Sequence, residues 1–325
     1  MQSFSLVQPT DIEAAVAAAS ADGAAYIAGG TDLMQLMKDN VAAPRTLVDL
    51  EGLQLTAIEA NTDGLRLGAL ATMASVAAHP EVRQGWPMIV EALLLSASPQ
   101  VRNMGTVGGN LLQRTRCGYF RDTGFACNKR EPGSGCPAIR GENRMLAVLG
   151  GSEHCIATHP SDMPVALIAL GAAVELRAPG GSVRKLALSD FYRLPGDTPH
   201  VETNLRPGEL ITAVLVPASE AARRSAYVKV RDRESFEFAL VSAAVGLAVE
   251  SGMIADARVA MGGVGTVPWR MHSVESALRG RKPEPGVLEE AAQRAADGAK
   301  PATQNGFKPK LMQRTVLRAL QTVAA

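Results

Sequence analysis

Aromatic residues are scarce. The 325 residues include 7 Phe, 4 Tyr and 2 Trp, too few for the stacking surface that single-stranded nucleic acid requires. Charge of one sign is missing too. Lys and Arg number 33 against 32 Asp and Glu, for a net +1, so no field draws a polyanion or an anionic membrane. Long apolar runs are absent, since Asp, Glu, Gly or Arg interrupts every Ala-rich stretch; a bilayer-spanning helix is not expected. The opening MQSFSLVQPTDIEAAV has neither a basic nor an apolar region and does not read as a signal peptide. A soluble chain is expected, one whose export would have to ride on a partner carrying a signal.

Motifs for side-chain catalysis are also lacking. The five histidines, His79, His154, His159, His200 and His272, form no H-E-x-x-H or other metal pair. There is no G-x-S-x-G elbow, and the carboxylates are not arranged as an acid/base pair. His159, before Pro160, reads as a loop residue. Neither G-x-G-x-x-G nor G-x-x-x-x-G-K-[ST] occurs; GGVGTVPW at 262–269 lacks the third glycine and runs into Pro268. These absences point to chemistry carried by bound cofactors.

What is present is an ordinary globular balance, 46% hydrophobic and 20% charged, with length for two or three domains. A strand from Phe4 to Val7 leads into a helix capped by Thr10 or Asp11. An apolar strand, Ala25 to Ala28, reaches a Gly-Gly turn and a helix starting near Thr31 or Asp32. Further strands are expected over 45–50 and 65–70, followed by a helical run interrupted at Pro80 and Pro87 and, after the cysteines, by the helical PSDMPVALIALGA. The texture changes after Pro217, which places a boundary near residue 220. An Ala-rich helical tail, broken around Pro301, runs from Val287 to Ala325. No repeat or low-complexity tract occurs.

Two glycine turns stand out, AGGTDL (28–33) and GTVGGNL (105–111). A Gly pair after a strand lets backbone approach a diphosphate, and the following helix offers free N–H groups. Thr31 adds a hydroxyl donor. Asp32 is awkward beside a phosphate and is expected to cap the helix or a loop amide instead. One such turn alone reads more readily as a tight turn that binds nothing; two, each read between a strand-like and a helix-like run, weaken that reading without removing it.

The only cysteines, Cys117, Cys127, Cys136 and Cys155, fall within 39 residues. A chain with a full core does not need disulfide staples. Structural zinc usually uses a C-x2–4-C knuckle, which is absent. A cubane iron–sulfur cluster accepts four widely spaced thiolates from loops. Arg114, Arg116, Arg121, Lys129 and Arg130 crowd the segment and are expected to lower the thiol pKa values and offset a negative cluster. The GSG at 133–135 could aim N–H groups at sulfur. Spacing and charge leave cluster, zinc and inert thiols open, with the cluster ahead.

AGGTDL, RNMGTVGGNL, the SD at 161–162 and YVKVRDRESFEFALVSAAV together resemble the FAD-binding medium subunit of molybdenum hydroxylases, a group that includes xanthine dehydrogenases, aldehyde oxidoreductases and carbon monoxide dehydrogenases. The resemblance covers essentially the whole chain. NLLQRTRC, CNKREPGSGC and CIATHPSD are most similar to FAD subunits of bacterial periplasmic aldehyde oxidoreductases, which carry an extra 4Fe–4S cluster.

The resemblance implies an α+β chain: a two-subdomain FAD-binding fold of the vanillyl-alcohol oxidase type over 1–219, with the cysteine insertion at about 112–157, and a C-terminal α+β domain over 220–325. Tyr26, Ile27, Ala28, Gly29, Gly30, Thr31, Asp32 and Leu33 would hold the FAD pyrophosphate, and Thr106, Gly109 and Asn110 would form the second FAD loop. Asp162 would serve the adenosine end or ribose, Lys229 the flavin side, and the four cysteines the cluster. VRDRESFEF departs from the family's usual form, with Phe236 and Phe238 in place of Asp-Ile-Ala. The implied complex is a heterotrimer with a molybdenum-cofactor large subunit, where aldehyde is oxidised, and a 2Fe–2S small subunit. Electrons would pass through FAD to an external acceptor. Export with a signal-bearing partner would make the chain periplasmic; otherwise it is cytoplasmic. The alternatives are a stand-alone FAD-dependent oxidase and a zinc-stapled scaffold.

Overall fold

The computed structural model describes residues 1–325. Its first unit is a small parallel sheet of β1 (Ser5–Val7), β2 (Ala24–Ile27) and β3 (Thr46–Asp49), in the order β1-β3-β2. Parallel strands need crossover connections, and the helix Ile12–Ala19 makes one from β1 to β2, which lie on either side of β3. Asp11 caps it, accepting from the Ala14 N–H at 2.8 Å. Ala15 and Val16 on that helix pack with Val48 and Leu50 in a core of their own.

A five-stranded antiparallel sheet follows: β4 (Ile58–Ala60), β5 (Gly64–Gly68), β6 (Ala173–Arg177), β7 (Val183–Ala187) and β8 (Leu210–Pro217), in the order β4-β5-β8-β6-β7. β8 sits centrally, and its run LITAVLV is buried on both faces at nearly every position. Between β5 and β6 the chain makes a long excursion that carries the second glycine turn and all four cysteines. Pro80 and Pro87 each open a new helix, Pro80–Gly85 and Pro87–Leu94. Proline has no N–H to donate but is suited to a first helical turn.

The last sheet, also antiparallel, has β9 (Ser225–Val230), β10 (Val241–Glu250), β11 (Met253–Gly262) and β12 (Trp269–Arg270), in the order β12-β11-β10-β9. The β10–β11 hairpin turns at Ser251 and Gly252, both with positive φ, which matches the twist of the flanking strands. The terminal helix Lys308–Ala324 packs Met312, Val316, Ala319 and Leu320 against this sheet. The change of sheet between Pro217 and Ser225 is not a break in packing, because the largest core includes Tyr227, Ala244 and Ala260 beside Leu65 and Val174. No helix is long and apolar enough to cross a membrane. The mixed α/β chain, two sheets with their helices followed by a smaller α+β region, agrees with the expected fold class.

Candidate cofactor sites

The first glycine turn follows β2 directly. Gly30 takes φ +66°, a conformation that costs other L-residues about 1–2 kcal/mol. Gly29 has a different reason to be glycine: a Cβ there would fall on the Met104 carbonyl oxygen. The two glycine turns therefore meet backbone to backbone. The N–H groups of Gly29, Gly30, Thr31, Asp32 and Leu33 find no acceptor in the protein. Five consecutive free donors in a turn form an anion-binding concavity.

The second turn is built differently from expectation. It lies between two helices, Pro99–Met104 and Val107–Leu111, and not after a strand. Its donors are largely used: Val107 N–H reaches Ala71 O at 2.9 Å, Gly108 N–H reaches Ala69 O at 2.8 Å, and Gly109 N–H reaches the capping Thr106 Oγ1 at 3.2 Å. The available group is on Asn110, whose Oδ1 is buried without a partner. A buried acceptor left unmatched costs about 1–3 kcal/mol, so a donor from a ligand fits there.

Both turns open on one cleft of about 1930 Å³, part of it facing solvent. Tyr26, Ile27, Ala28, Gly29, Gly30, Thr31, Asp32, Leu33, Thr106, Gly109, Asn110, Asp162 and Lys229 all line it. Their individual roles are less uniform. The Tyr26 hydroxyl donates to Gly208 O at 2.8 Å, and burial pushes its pKa up to about 12, so it braces the wall. Asp162 and Lys229, expected at opposite ends of a cofactor, are bonded to each other: Lys229 Nζ lies 2.8 Å from Asp162 Oδ2. Ser96 Oγ and Tyr227 OH also donate to Asp162, at 2.9 and 2.7 Å. Burial above all, and then the Asp162 charge, holds the Tyr227 phenol well above its ordinary pKa.

Sequence reading missed Ser96 and Tyr227. The second had a signal, since Tyr227 and Lys229 are two apart on β9 and so share a face. Glu209, Arg114, Arg116, Phe236 and Phe238 also line the cleft. The departure at VRDRESFEF thus puts two aromatic rings on its wall, with the Arg116 guanidinium 5.0 Å from the Phe238 centroid.

Asp32 does not cap its helix. Its Oδ2 accepts the Arg114 N–H at 2.8 Å, and its Oδ1 lies 2.8 Å from both Arg116 and Arg121. A loop amide is bound, as expected, and two guanidiniums surround one carboxylate. The surroundings of the turn are therefore positive on balance, which resolves the repulsion expected between Asp32 and an anion.

The four thiols are free and line one small pocket, with Tyr119, Phe120, Ala138 and Ala157 among its other walls. No three His, Cys, Asp or Glu side chains converge tightly enough for a single ion. Tetrahedral zinc at ~2.3 Å would need sulfurs about 3.8 Å apart. All four thiols face the same pocket, and no single-ion site is formed among them.

The electrostatics of these thiols correct two expectations. Burial, as the first cause, pushes Cys117 and Cys136 up, and Cys155 up to about 11. The arginines do not offset this because they are engaged elsewhere. Arg114 pairs with Glu202, Arg116 and Arg121 with Asp32, and Arg130 with the carbonyls of Tyr119 and Phe120. Among the basic side chains only Lys129 acts in the lowering direction, on Cys155. The GSG turn also aims elsewhere: Gly135 N–H goes to Asn128 Oδ1 at 2.7 Å and Ser134 N–H to Glu131 O at 3.1 Å. Backbone donors to sulfur are Tyr119 and Phe120 for Cys117, Ala138, Ile139 and the more distant Ile156 for Cys136, and Ala157 for Cys155. His159 lies in a loop, as expected, but its ring is turned inward. Its ring packs edge-on against Tyr192, and burial, with Lys129 adding to it, pushes its pKa down to about 3.

Residues 2–219 match the family described as FAD binding domain in molybdopterin dehydrogenase, and residues 225–323 match the CO dehydrogenase flavoprotein C-terminal domain. The chain is 46% identical over 321 residues to the aldehyde oxidoreductase FAD-binding subunit PaoB of Escherichia coli K12, covering 97% of this chain and 96% of that one. It is 28% identical to the carbon monoxide dehydrogenase medium chain of Afipia carboxidovorans, covering 99% and 97%. Among solved structures, reconstituted CO dehydrogenase from Oligotropha carboxidovorans superposes with a TM-score of 0.78 at 26% identity, covering 99% and 98%.

Proposed function

The chain belongs to the family of FAD-binding subunits of molybdopterin dehydrogenases, and from that premise we propose that it is the FAD- and 4Fe–4S-binding electron-transfer subunit of a molybdenum-dependent aldehyde oxidoreductase. The observation that carries the FAD part is the single cleft lined by both glycine turns, with five free N–H donors in the first and the orphaned Asn110 Oδ1 in the second. The observation that supports the cluster is the set of four free thiols facing one pocket.

When bound, FAD supplies two-electron and one-electron redox chemistry, and a 4Fe–4S cluster supplies one-electron chemistry. The chain's own groups bind and orient. The turn Gly29–Leu33 would hold the diphosphate through its N–H groups, with Arg116 contributing positive charge. Asn110 Oδ1 would accept from the cofactor, and the Asp162–Lys229–Tyr227 set would present a fixed polar wall. Cys117, Cys127, Cys136 and Cys155 would ligate the cluster as thiolates, and burial makes proton loss from Cys117, Cys136 and Cys155 unfavourable until the metal arrives. Aldehyde oxidation would occur on a molybdenum-bearing large subunit, with a 2Fe–2S small subunit as electron donor to this chain. The strong likeness to an aldehyde oxidoreductase subunit supports that assembly. Periplasmic residence through co-export with a signal-bearing partner is part of the proposal, and cell fractionation tests it.

Purification and analysis test the cofactors. The expected result is a coloured protein with flavin absorbance, released FAD, four irons and four labile sulfides per chain on the stoichiometry of a cubane. Zinc without labile sulfide would sink the cluster assignment, and a colourless protein that binds no FAD would sink both.

A further inference from the structure

We propose that Asp32 is a positioning residue that couples the two cofactor sites, so that occupancy of the cysteine cavity tightens binding at the glycine turn and the reverse. The inference rests on the FAD and cluster reading above and goes beyond it, since two sites in one chain need not communicate.

Asp32 lies inside the turn whose N–H groups are free, yet every polar contact of its carboxylate is to the cysteine segment. Oδ2 takes the Arg114 amide at 2.8 Å, and Oδ1 faces Arg116 and Arg121 at 2.8 Å each. Those three arginines immediately flank Cys117. Arg121 also ties the segment to itself, donating to Thr115 O at 2.9 Å and Arg114 O at 3.0 Å. One side chain therefore fixes both where the diphosphate donors sit and where the first thiol sits. The contact is well shielded, with the Asp32 and Arg121 side chains each 15% exposed.

A second contact runs along the same path. Leu36, on the helix Leu33–Lys38 that continues the turn, is buried in the core that contains Cys117, Cys127, Cys155 and Phe120. Filling or emptying the cysteine cavity changes the packing of that core and so acts on the helix from below, while Asp32 holds its start from above. Ordering of one site then lowers the conformational cost of ordering the other, which is positive coupling. Coupling of this kind is reciprocal by linkage.

Four forms of the full chain test this: wild type, Cys136→Ser, Asp32→Asn and the double variant. Cys136 is chosen because it alone among the thiols is not fully buried. FAD dissociation constants are measured by flavin fluorescence on apo-flavin protein, and iron and sulfide are assayed in each sample. Loss of the cluster should weaken FAD roughly tenfold in the wild-type background, within the usual range of coupling between sites, and less than about twofold in the Asp32→Asn background. Asp32→Glu, which keeps the charge, should restore part of the coupling. If Asp32→Asn fails to fold by circular dichroism, Arg121→Gln takes its place, with the same expectation. An equal loss of FAD affinity on cluster removal in both backgrounds overturns the coupling role while leaving the cofactors in place. Failure of wild type to take up iron and sulfide overturns the cluster reading, and the inference with it.

Discussion

At the scale of single residues, the two glycines of the first turn are glycine for different reasons, and the difference is measurable. A Cβ at Gly29 collides with the Met104 carbonyl, a backbone atom that can yield only if the two turns part. Gly29→Ala should therefore destabilise the protein without cofactor by ~2 kcal/mol or more, as overpacking does. Gly109 lines the same cleft, but a Cβ there meets only Thr106 Oγ1, at 3.0 Å. Gly109→Ala should leave apo stability within about 1 kcal/mol, because better helix propensity offsets the tight contact, and should still lower FAD content. Urea unfolding and flavin extraction of the two variants decide the matter; equal apo stabilities would contradict the collision at Gly29. Lys229→Met makes a further case. It leaves Asp162 buried with Ser96 and Tyr227 but no cation, and a broken buried pair costs about 3–5 kcal/mol. A midpoint in urea close to wild type would show that the two hydroxyls suffice.

At the scale of elements, the five-stranded sheet is tied to the cleft rim by Glu209, the residue before β8. Arg184 on β7 grips it at 2.7 and 2.8 Å, and the Arg206 N–H reaches it at 2.7 Å. Burial alone would raise the Glu209 pKa; the Arg184 and Arg206 contacts outweigh it and lower the value below 4.5. A carboxylate with a depressed folded pKa binds protons less readily than in the unfolded chain, so its stabilisation is complete above about pH 4.5 and is lost as pH falls through the folded value. Thermal unfolding between pH 6 and pH 3 should show a shallower acid decline in Glu209→Gln than in wild type, from a lower starting point. Identical slopes would mean that other carboxylates govern the acid limb. Glu209 lines the cofactor cleft, so the same acid range should favour cofactor release.

At the scale of the whole molecule, the cleft is where the three sheets meet: β2 and its turn from the first, the start of β8 from the second, and Lys229 on β9 from the third. Such a junction is a binding place more than a reacting one. Its titratable groups are paired with each other, as Asp162 with Lys229 and Asp32 with two arginines, and none is left poised as a free acid or base. The isolated chain, loaded with FAD, should accept electrons from dithionite yet turn over no aldehyde until the molybdenum-bearing partner is added. Aldehyde turnover by the chain alone, assayed with an artificial acceptor, would favour the stand-alone oxidase.

The sequence by itself determined the local devices. Strand, turn and helix around AGGTDL follow from an apolar run, a left-handed glycine and the absence of competing signals, and the helix starts at Pro80 and Pro87 follow from proline's missing N–H. Composition gave no run apolar enough to span a bilayer and no strong field of one sign, and motif order pointed to the family. Tertiary structure decided what spacing cannot express. It set Gly29 against Met104, 75 positions away, and joined Asp162 to Lys229. It also turned the arginines around the cysteines toward Asp32, Glu202 and backbone carbonyls, away from the thiols. Charge counted along a segment says how many cations are near; only the fold says which partner each one faces. For that reason the aromatic-poor, nearly charge-balanced chain revealed its flavin-binding family in sequence, and the partners of its charged side chains only in three dimensions.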